Sequence, residues 1–174
     1  MPATAWHRLG SYLHQTQLLG AIQSTLYWDQ NTSMPSQGAS WRGEQLSLVA
    51  RQLHSRQSSD EFEQLIVEAK VELEGNSGNE KLTQIQIEDR LRNIELLHLD
   101  LTRQKRLDPE LVSNLACAKN KGYAMWQEAK ALGQFQHFAP ALKELIQLRK
   151  EQSRQLSEPR SCWETLAQPF EPDL

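Results

Sequence analysis

Apolar residues recur at three- and four-residue intervals along almost the whole chain, and no stretch alternates as a β-strand would. The first such stretch begins at Thr4, a suitable N-cap, and continues through Leu26 until Asn31-Thr32-Ser33-Met34-Pro35 interrupts helix propagation. A second stretch runs from about Gly38 to Gln57. This periodicity predicts an all-α fold that begins with two long helices.

Cap and terminator residues predict where the later helices begin and end. Ser58 and Glu61 have the spacing of a capping box, so a third helix is expected to start there. It is expected to stop at Gly75-Asn76-Ser77-Gly78-Asn79, which has the composition of a loop. Asp108-Pro109 joins an N-cap to a proline suited to the first helical position, so it starts a fifth helix. Gly133 is suited to end that helix in the left-handed conformation.

The fourth predicted helix carries a seam like that of a coiled coil, at alternating four- and three-residue steps, formed by Ile87, Leu91, Ile94, His98 and Leu101. Such a seam is expected of a long helix that packs against antiparallel neighbours. A sixth helix runs from about His137 to Leu156, and a short helical piece surrounds Trp163. We therefore predict an antiparallel bundle of about six helices that forms a single domain over residues 1–174.

Charge and composition exclude several classes of partner. The 174 residues include 19 basic and 22 acidic ones, interspersed, for a net charge of −3, so no basic stripe exists to follow nucleic-acid phosphates. No apolar run approaches the roughly 18 residues of a membrane helix, and no signal peptide is visible. Two cysteines favour a reducing compartment, so we expect the cytoplasm. Cys117 is expected to be a buried small hydrophobe, and Cys162 a more exposed thiol.

The five histidines do not have the spacing of a metal site. His7 and His14 lie two helical turns apart, about 10 Å along the axis, too far to share one zinc ion. His54, His98 and His137 each lack a histidine or glutamate four residues away. We expect structural roles for all five, with His98 in the core or at its boundary. The residues of this chain therefore predict no metal ligand and no catalytic group.

Several segments are similar to those of a known family. Trp28-Asp29-Gln30-Asn31-Thr32-Ser33-Met34-Pro35 resembles the Trp-Asp-Gln-x-Thr-x-Met-Pro segment near the start of the carboxypeptidase Taq family of zinc metallocarboxypeptidases. Further similarity lies in Arg42-Gly43-Glu44-Gln45-Leu46, Leu53-His54, Ala129-Lys130-Ala131, Phe138-Ala139-Pro140 and Phe170-Glu171-Pro172. The resemblance covers nearly the whole chain but only the leading part of the family's enzyme, because no His-Glu-x-x-His occurs in it.

The resemblance implies an all-helical enzyme that removes C-terminal residues from peptides with one zinc ion, usually as a homodimer. The zinc ligands and the general-base glutamate would lie in the part that is missing here. This chain would then form the N-terminal lobe, would contain no cofactor, and would be inactive alone. Its partners would be a peptide substrate, only in a complete enzyme, and the missing C-terminal part or a second copy.

The segment around Trp28 has two interpretations. In the functional one, Asp29 and Gln30 line the edge of a peptide-binding groove and Trp28 forms part of its wall, with Thr32, Met34 and Pro35 in the same motif. In the structural one, Trp28 packs into the bundle, Asp29 and Gln30 bind the free backbone groups at the helix end, and Met34-Pro35 fixes the turn. We favour the structural interpretation, because no titratable partner adjacent in sequence indicates acid–base chemistry.

Two hypotheses for the whole chain remain open. The first is that it is the N-terminal part of a Taq-type carboxypeptidase. The second is that it is a self-contained helical protein-interaction module derived from that scaffold. An open apolar face would favour the first, and we expect such exposure around Trp163, Leu166 and Phe170.

Overall fold

A computed structural model describes residues 3–75, 82–156 and 158–171. These ranges contain six helices of 15 to 28 residues and one short helix, namely α1 (Ala5–Thr32), α2 (Ala39–Gln57), α3 (Asp60–Glu74), α4 (Gln84–Lys105), α5 (Pro109–Leu132), α6 (Ala139–Leu156) and α7 (Cys162–Ala167). Short 3₁₀ turns at Ser36–Gly38 and Phe135–His137 precede α2 and α6. The described residues include no strand, so the predicted all-α fold is confirmed.

Most of the predicted helix boundaries are confirmed by their local hydrogen bonds. The Thr4 hydroxyl accepts from the amide of His7 at 3.2 Å, which caps α1. Asp108 caps α5, accepting from the amide of Glu110 at 2.7 Å, and proline occupies the first turn. Gly133 ends α5 with φ 65°, in the left-handed region that a glycine enters without steric cost.

The predicted start of α3 is wrong by one residue. The N-cap is Ser59 rather than Ser58, and its hydroxyl accepts from the amide of Phe62 at 3.0 Å. Ser58 instead donates its hydroxyl to the His54 carbonyl in the last turn of α2. A capping box does occur further on, at Ser161 before α7. Of the predicted loop after α3, Gly75 is the helix cap and the rest lies outside the described residues.

The chain divides into two compact units, the first formed by Met1–Ala21 and Leu53–Lys105 and the second by Ile22–Gln52 and Arg106–Leu174. Helices α1 and α2 each contribute residues to both units. Unit 1 therefore contains α3 and α4, and unit 2 contains α5, α6 and α7. The single domain expected from the sequence stays a prediction.

The core of unit 1 lies where the start of α1 packs on α3 and α4. Its buried apolar residues include Leu9, Tyr12, Phe62, Ile66, Ile94 and Leu101. The rings of Tyr12 and Phe62 stack with centroids 5.4 Å apart. The Lys105 ammonium at the end of α4 reaches the carboxylates of Asp60 and Glu63 at the start of α3, at 2.7 and 2.6 Å. The two helices are therefore antiparallel, as predicted.

Of the predicted seam of α4, Leu91, Ile94 and Leu101 belong to the core of unit 1, but His98 does not. Leu97 packs against the core of unit 1, whereas His98 is exposed. The helical period of 3.6 residues places only one of two consecutive residues toward a neighbour, and the apolar side chain is the one that gains from burial. The buried histidine of this unit is instead His54, whose Nδ1 lies 3.2 Å from Gln104 Oε1.

Unit 2 is organised around the pair α5 and α6. Leu107, Leu111, Leu115 and Leu156 are buried together, with Val112, Leu148 and Leu166 against them. The Arg106 guanidinium donates to the carbonyl of Leu156 at 2.7 Å, so the start of α5 meets the end of α6 and the pair is antiparallel. Of the three apolar residues expected to be exposed near the C-terminus, Trp163 and Phe170 are exposed, whereas Leu166 packs against this core. Cys117, expected to be buried, is exposed on α5.

Candidate functional site

The motif from Trp28 to Pro35 lies at the C-terminal end of α1, in unit 2. Its backbone groups are largely satisfied by the helix itself. The amides of Ser33 and Met34 both donate to the Asp29 carbonyl at 2.9 Å, and the Thr32 hydroxyl donates to the Trp28 carbonyl at 2.8 Å. Pro35 follows in an extended conformation and precedes the 3₁₀ turn that leads into α2. The motif thus ends one helix and positions the next.

Arg42, in the first turn of α2, makes the principal side-chain contacts to this helix end. Its guanidinium donates to the Asp29 carboxylate at 2.5 Å, to the Leu26 carbonyl, and to the Gln45 side-chain oxygen at 2.9 Å. The Arg42 side chain is only 11% exposed, whereas that of Asp29 is 40% exposed. A planar guanidinium can serve three acceptors in fixed directions, which an ammonium cannot do. Arg42 therefore ties the end of α1 to the start of α2.

The contact of Arg42 with the end of α1 was not predicted from the sequence, although one feature of the sequence indicates it. The first turn of α2 contains no acidic residue and does contain this arginine. A positive charge is unfavourable at the N-terminus of a helix, where the macrodipole is positive. An arginine at that position therefore calls for an acceptor from elsewhere, and Asp29 together with Leu26 provides it.

A cavity of about 600 Å³ adjoins the same helix end and is lined from the α1 side by Gln30, Asn31, Thr32 and Met34. Gln30 Oε1 is buried and has no hydrogen-bond partner in the described protein. An unpaired buried acceptor costs about 1–3 kcal/mol of stability. The phenol of Tyr27, three residues earlier in α1, has a raised pKa because of its burial, and it stays protonated at neutral pH.

The structural interpretation of the motif is correct for the turn and wrong for the side chains before it. Trp28 does not pack into the bundle, because 64% of it is exposed. The Asp29 carboxylate binds Arg42 rather than the backbone groups of the helix end, and Gln30 Oε1 accepts from none of them. The functional interpretation places residues at a groove, and three of the motif residues, Gln30, Thr32 and Met34, line the cavity.

The residues that could hold a metal do not come together. Within residues 3–75, 82–156 and 158–171, no group of three histidine, cysteine, aspartate or glutamate side chains is placed to bind one ion. His7 contacts Thr4 at 2.7 Å and His137 contacts Gln134 at 2.8 Å, both within one turn of chain. The described residues thus do not fit a catalytic zinc site. None of the helices in these ranges is long and apolar enough to cross a membrane.

Comparison with known proteins identifies the group to which these features belong. The family model described as carboxypeptidase Taq (M32) metallopeptidase matches residues 8–174. Thermostable carboxypeptidase 1 of Thermus thermophilus is 27% identical over 155 residues, which are 89% of this chain and 29% of that protein. Carboxypeptidase 1 of Bacillus subtilis is 24% identical over 125 residues, which are 72% of this chain and 23% of that protein.

A solved structure shares the fold. The crystal structure of the protein called BsuCP superposes on 98% of this chain with a TM-score of 0.84 and 22% identity, and the match covers 32% of that protein. This chain therefore spans about a third or less of the length of the relatives it matches. The antiparallel helical arrangement predicted from the sequence is that of the matched part of this structure.

Proposed function

Because the chain belongs to the carboxypeptidase Taq family of metallopeptidases, we propose that it is the N-terminal helical portion of a zinc-dependent carboxypeptidase. The observation that carries the proposal is a family match over residues 8–174 by a chain that spans only 29% of its Thermus thermophilus relative. The complete enzyme would release C-terminal amino acids from peptides. This chain would supply scaffold and cleft wall, and the remaining part would supply the zinc ligands and the general base.

When bound in the remaining part, zinc would polarise the scissile carbonyl and a water molecule. This chain's contribution would be to hold the cleft wall in place, which the Arg42 contacts to Asp29 and Leu26 can do. Both cysteines of the described residues are free thiols, so we also propose a cytoplasmic location.

Within that enzyme we propose that Gln30, Thr32 and Met34 contribute one edge of the peptide groove. The support is the cavity that these three residues line. Gln30→Ala in the reconstituted enzyme is expected to raise KM for a peptide substrate several-fold with kcat unchanged. Gln84→Ala, on α4 in unit 1, is the matched control. Equal KM values for both variants would contradict the assignment.

The proposed function is tested by reconstitution. The chain is assayed alone and after co-expression with the part of Bacillus subtilis carboxypeptidase 1 that lies outside the match, using C-terminal peptide hydrolysis and equilibrium dialysis with zinc. We expect no turnover and no sub-micromolar zinc binding by the chain alone, and zinc-dependent turnover by the pair. Turnover or stoichiometric tight zinc binding by the chain alone would refute the division of roles. A pair that never forms would favour a self-contained interaction module.

A further inference from the structure

An open groove runs between α2 and α5 in unit 2 and adjoins the cavity at the end of α1, with which it shares Ala39, Ala124 and Met125. It has a volume of about 780 Å³, and its apolar lining includes Trp41, Leu48, Cys117, Ala124 and Met125. Trp41 is 67% exposed and Leu48 is 52% exposed, so two large apolar side chains of one helix face outward. Their separation of seven residues is two helical turns, about 10 Å. This surface, the α2–α5 groove, is large enough to receive a helix.

The floor of the groove is held by direct contacts between its two helices. Gly43 is buried, and a β-carbon there would lie 2.9 Å from Asn120 Nδ2. The glycine therefore admits the Asn120 amide, which donates to the Ala39 carbonyl at 2.9 Å. Further along, the hydroxyls of Ser47 and Ser113 lie 2.6 Å apart. These contacts fix the spacing of α2 and α5, so the groove exists before anything binds it.

Of the three charged groups that line the groove, Lys121 pairs with Glu144 at 3.5 Å, whereas Glu44 and Arg51 form no ion pair with the described residues. The carboxylate of Glu44 has no cationic partner among the described residues, and Arg51 donates only to the hydroxyls of Ser47 and Ser113, at 3.3 and 3.0 Å. The groove thus presents a central apolar strip flanked by one unpaired carboxylate and one guanidinium without a carboxylate. Charges of opposite sign on a partner would fix the orientation of that partner on this surface and make its binding specific.

We propose that the α2–α5 groove is the docking surface for an amphipathic helix from the rest of a Taq-type carboxypeptidase, which rests on the function proposed above. The relatives that share this fold contain about three times as much chain, so they possess the same helices and also the segments that could cover this face. The docking helix presents apolar side chains over at least two turns, a basic residue toward Glu44 and an acidic residue toward Arg51. Burial of Trp41 and Leu48 stabilises the complex and removes an exposed apolar patch.

The test measures capture of a defined partner by variants of the groove. The tagged chain is co-expressed with the part of Bacillus subtilis carboxypeptidase 1 outside the match, and the captured partner is quantified. We expect Trp41→Asp and Leu48→Asp to reduce capture at least tenfold, and Arg51→Glu to reduce it more at low salt than at high salt. Ile85→Asp is the matched control, because Ile85 is 70% exposed and belongs to unit 1. It is expected to capture as the unchanged chain does.

The outcomes separate failure of the groove from failure of the proposed function. Capture that Trp41→Asp and Leu48→Asp leave unchanged, in variants whose circular dichroism melting matches that of the unchanged chain, overturns the groove assignment alone. Absence of capture by the unchanged chain overturns both proposals. A homodimer in light scattering that Leu48→Asp converts to a monomer would show that a second copy occupies the groove, which also overturns the assignment. If Trp41→Asp fails to fold, Leu48→Lys provides the second apolar-to-charged variant.

Discussion

Replacing Arg42 by lysine should weaken the junction between α1 and α2 more than its conservative chemistry indicates. The guanidinium serves the Asp29 carboxylate, the Leu26 carbonyl and the Gln45 side chain together. A lysine ammonium is a compact charge on a flexible stem, and it can approach one of these acceptors but not all three in their fixed directions. Arg42→Lys keeps the charge, so the experiment isolates the geometry of the contact.

The expected magnitude follows from the exposure of the groups involved. The contact to Asp29 is discounted, because that carboxylate is 40% exposed and is screened by water. Loss of the hydrogen bonds from a buried charged donor to the Leu26 carbonyl and to Gln45 costs about 1.5–3 kcal/mol. We therefore expect a decrease of about 2–3 kcal/mol in the free energy of unfolding of unit 2. For a chain of this size that corresponds to a fall in Tm of about 4–12 °C.

The matched control is Arg92→Lys, because Arg92 pairs with Glu95 on the surface of α4 with side chains 67% and 59% exposed. That change is expected to cost about 0–0.5 kcal/mol. Urea unfolding is followed by tryptophan fluorescence, which reports mainly on unit 2 because four of the five tryptophans lie there, namely Trp28, Trp41, Trp126 and Trp163. Equal midpoints for the two variants would show that the three-acceptor contact does not stabilise the junction.

Four further substitutions test local contacts elsewhere in the chain. Gly43→Ala is expected to lose about 1–3 kcal/mol by crowding a buried amide, whereas Gly10→Ala, with open space around it in α1, is expected to gain about 0.5–1 kcal/mol in the same urea assay. Gly133→Ala should cost about 1–2 kcal/mol because φ is 65° there, and thermal melting measures it. Lys105 lowers the pKa of Asp60 through a hydrogen bond and its charge, so that carboxylate adds stability above its ordinary pKa and loses it as pH falls through the lowered value. Lys105→Met should raise the pKa of Asp60 in an NMR titration, and an unchanged value would contradict the pairing.

The features predicted correctly from the sequence are mainly helix ends, which depend on residues close together in the chain. Caps such as Asp108 and the terminator Gly133 act within one helical turn, so their chemistry can be recognised without knowing the fold. The error at Ser58 is also local. Two adjacent serines are both suited to cap α3, and the position of the first helical residue decides between them. The antiparallel pairing was also predictable, since it follows from long amphipathic helices joined by short connections.

The sequence did not predict side-chain contacts and exposures that depend on residues distant in the chain. Arg42 belongs to a segment that resembles the family, but its two acceptors on α1 lie 13 and 16 residues earlier, at separations that no helical periodicity relates. The exposure of Trp28 and Cys117 reverses the expectation from residue type alone, because apolar residues are not obliged to be inside. In a lobe whose proposed partner supplies further helices, exposed apolar positions are those that a partner would cover.

Two adjacent residues of α2 contact different neighbours, and they link the α1–α2 junction to the α2–α5 groove. Arg42 faces the end of α1, while Gly43 admits the Asn120 amide at the floor of the α2–α5 groove. A helix is stiff over one turn, so a rotation that releases Arg42 would also move Gly43 and the groove residue Trp41. Arg42→Lys should therefore reduce capture of the carboxypeptidase partner although Arg42 does not line the groove. Full capture by a variant that has lost stability would show that the contacts of Asn120 and Ser113 position α2 without Arg42.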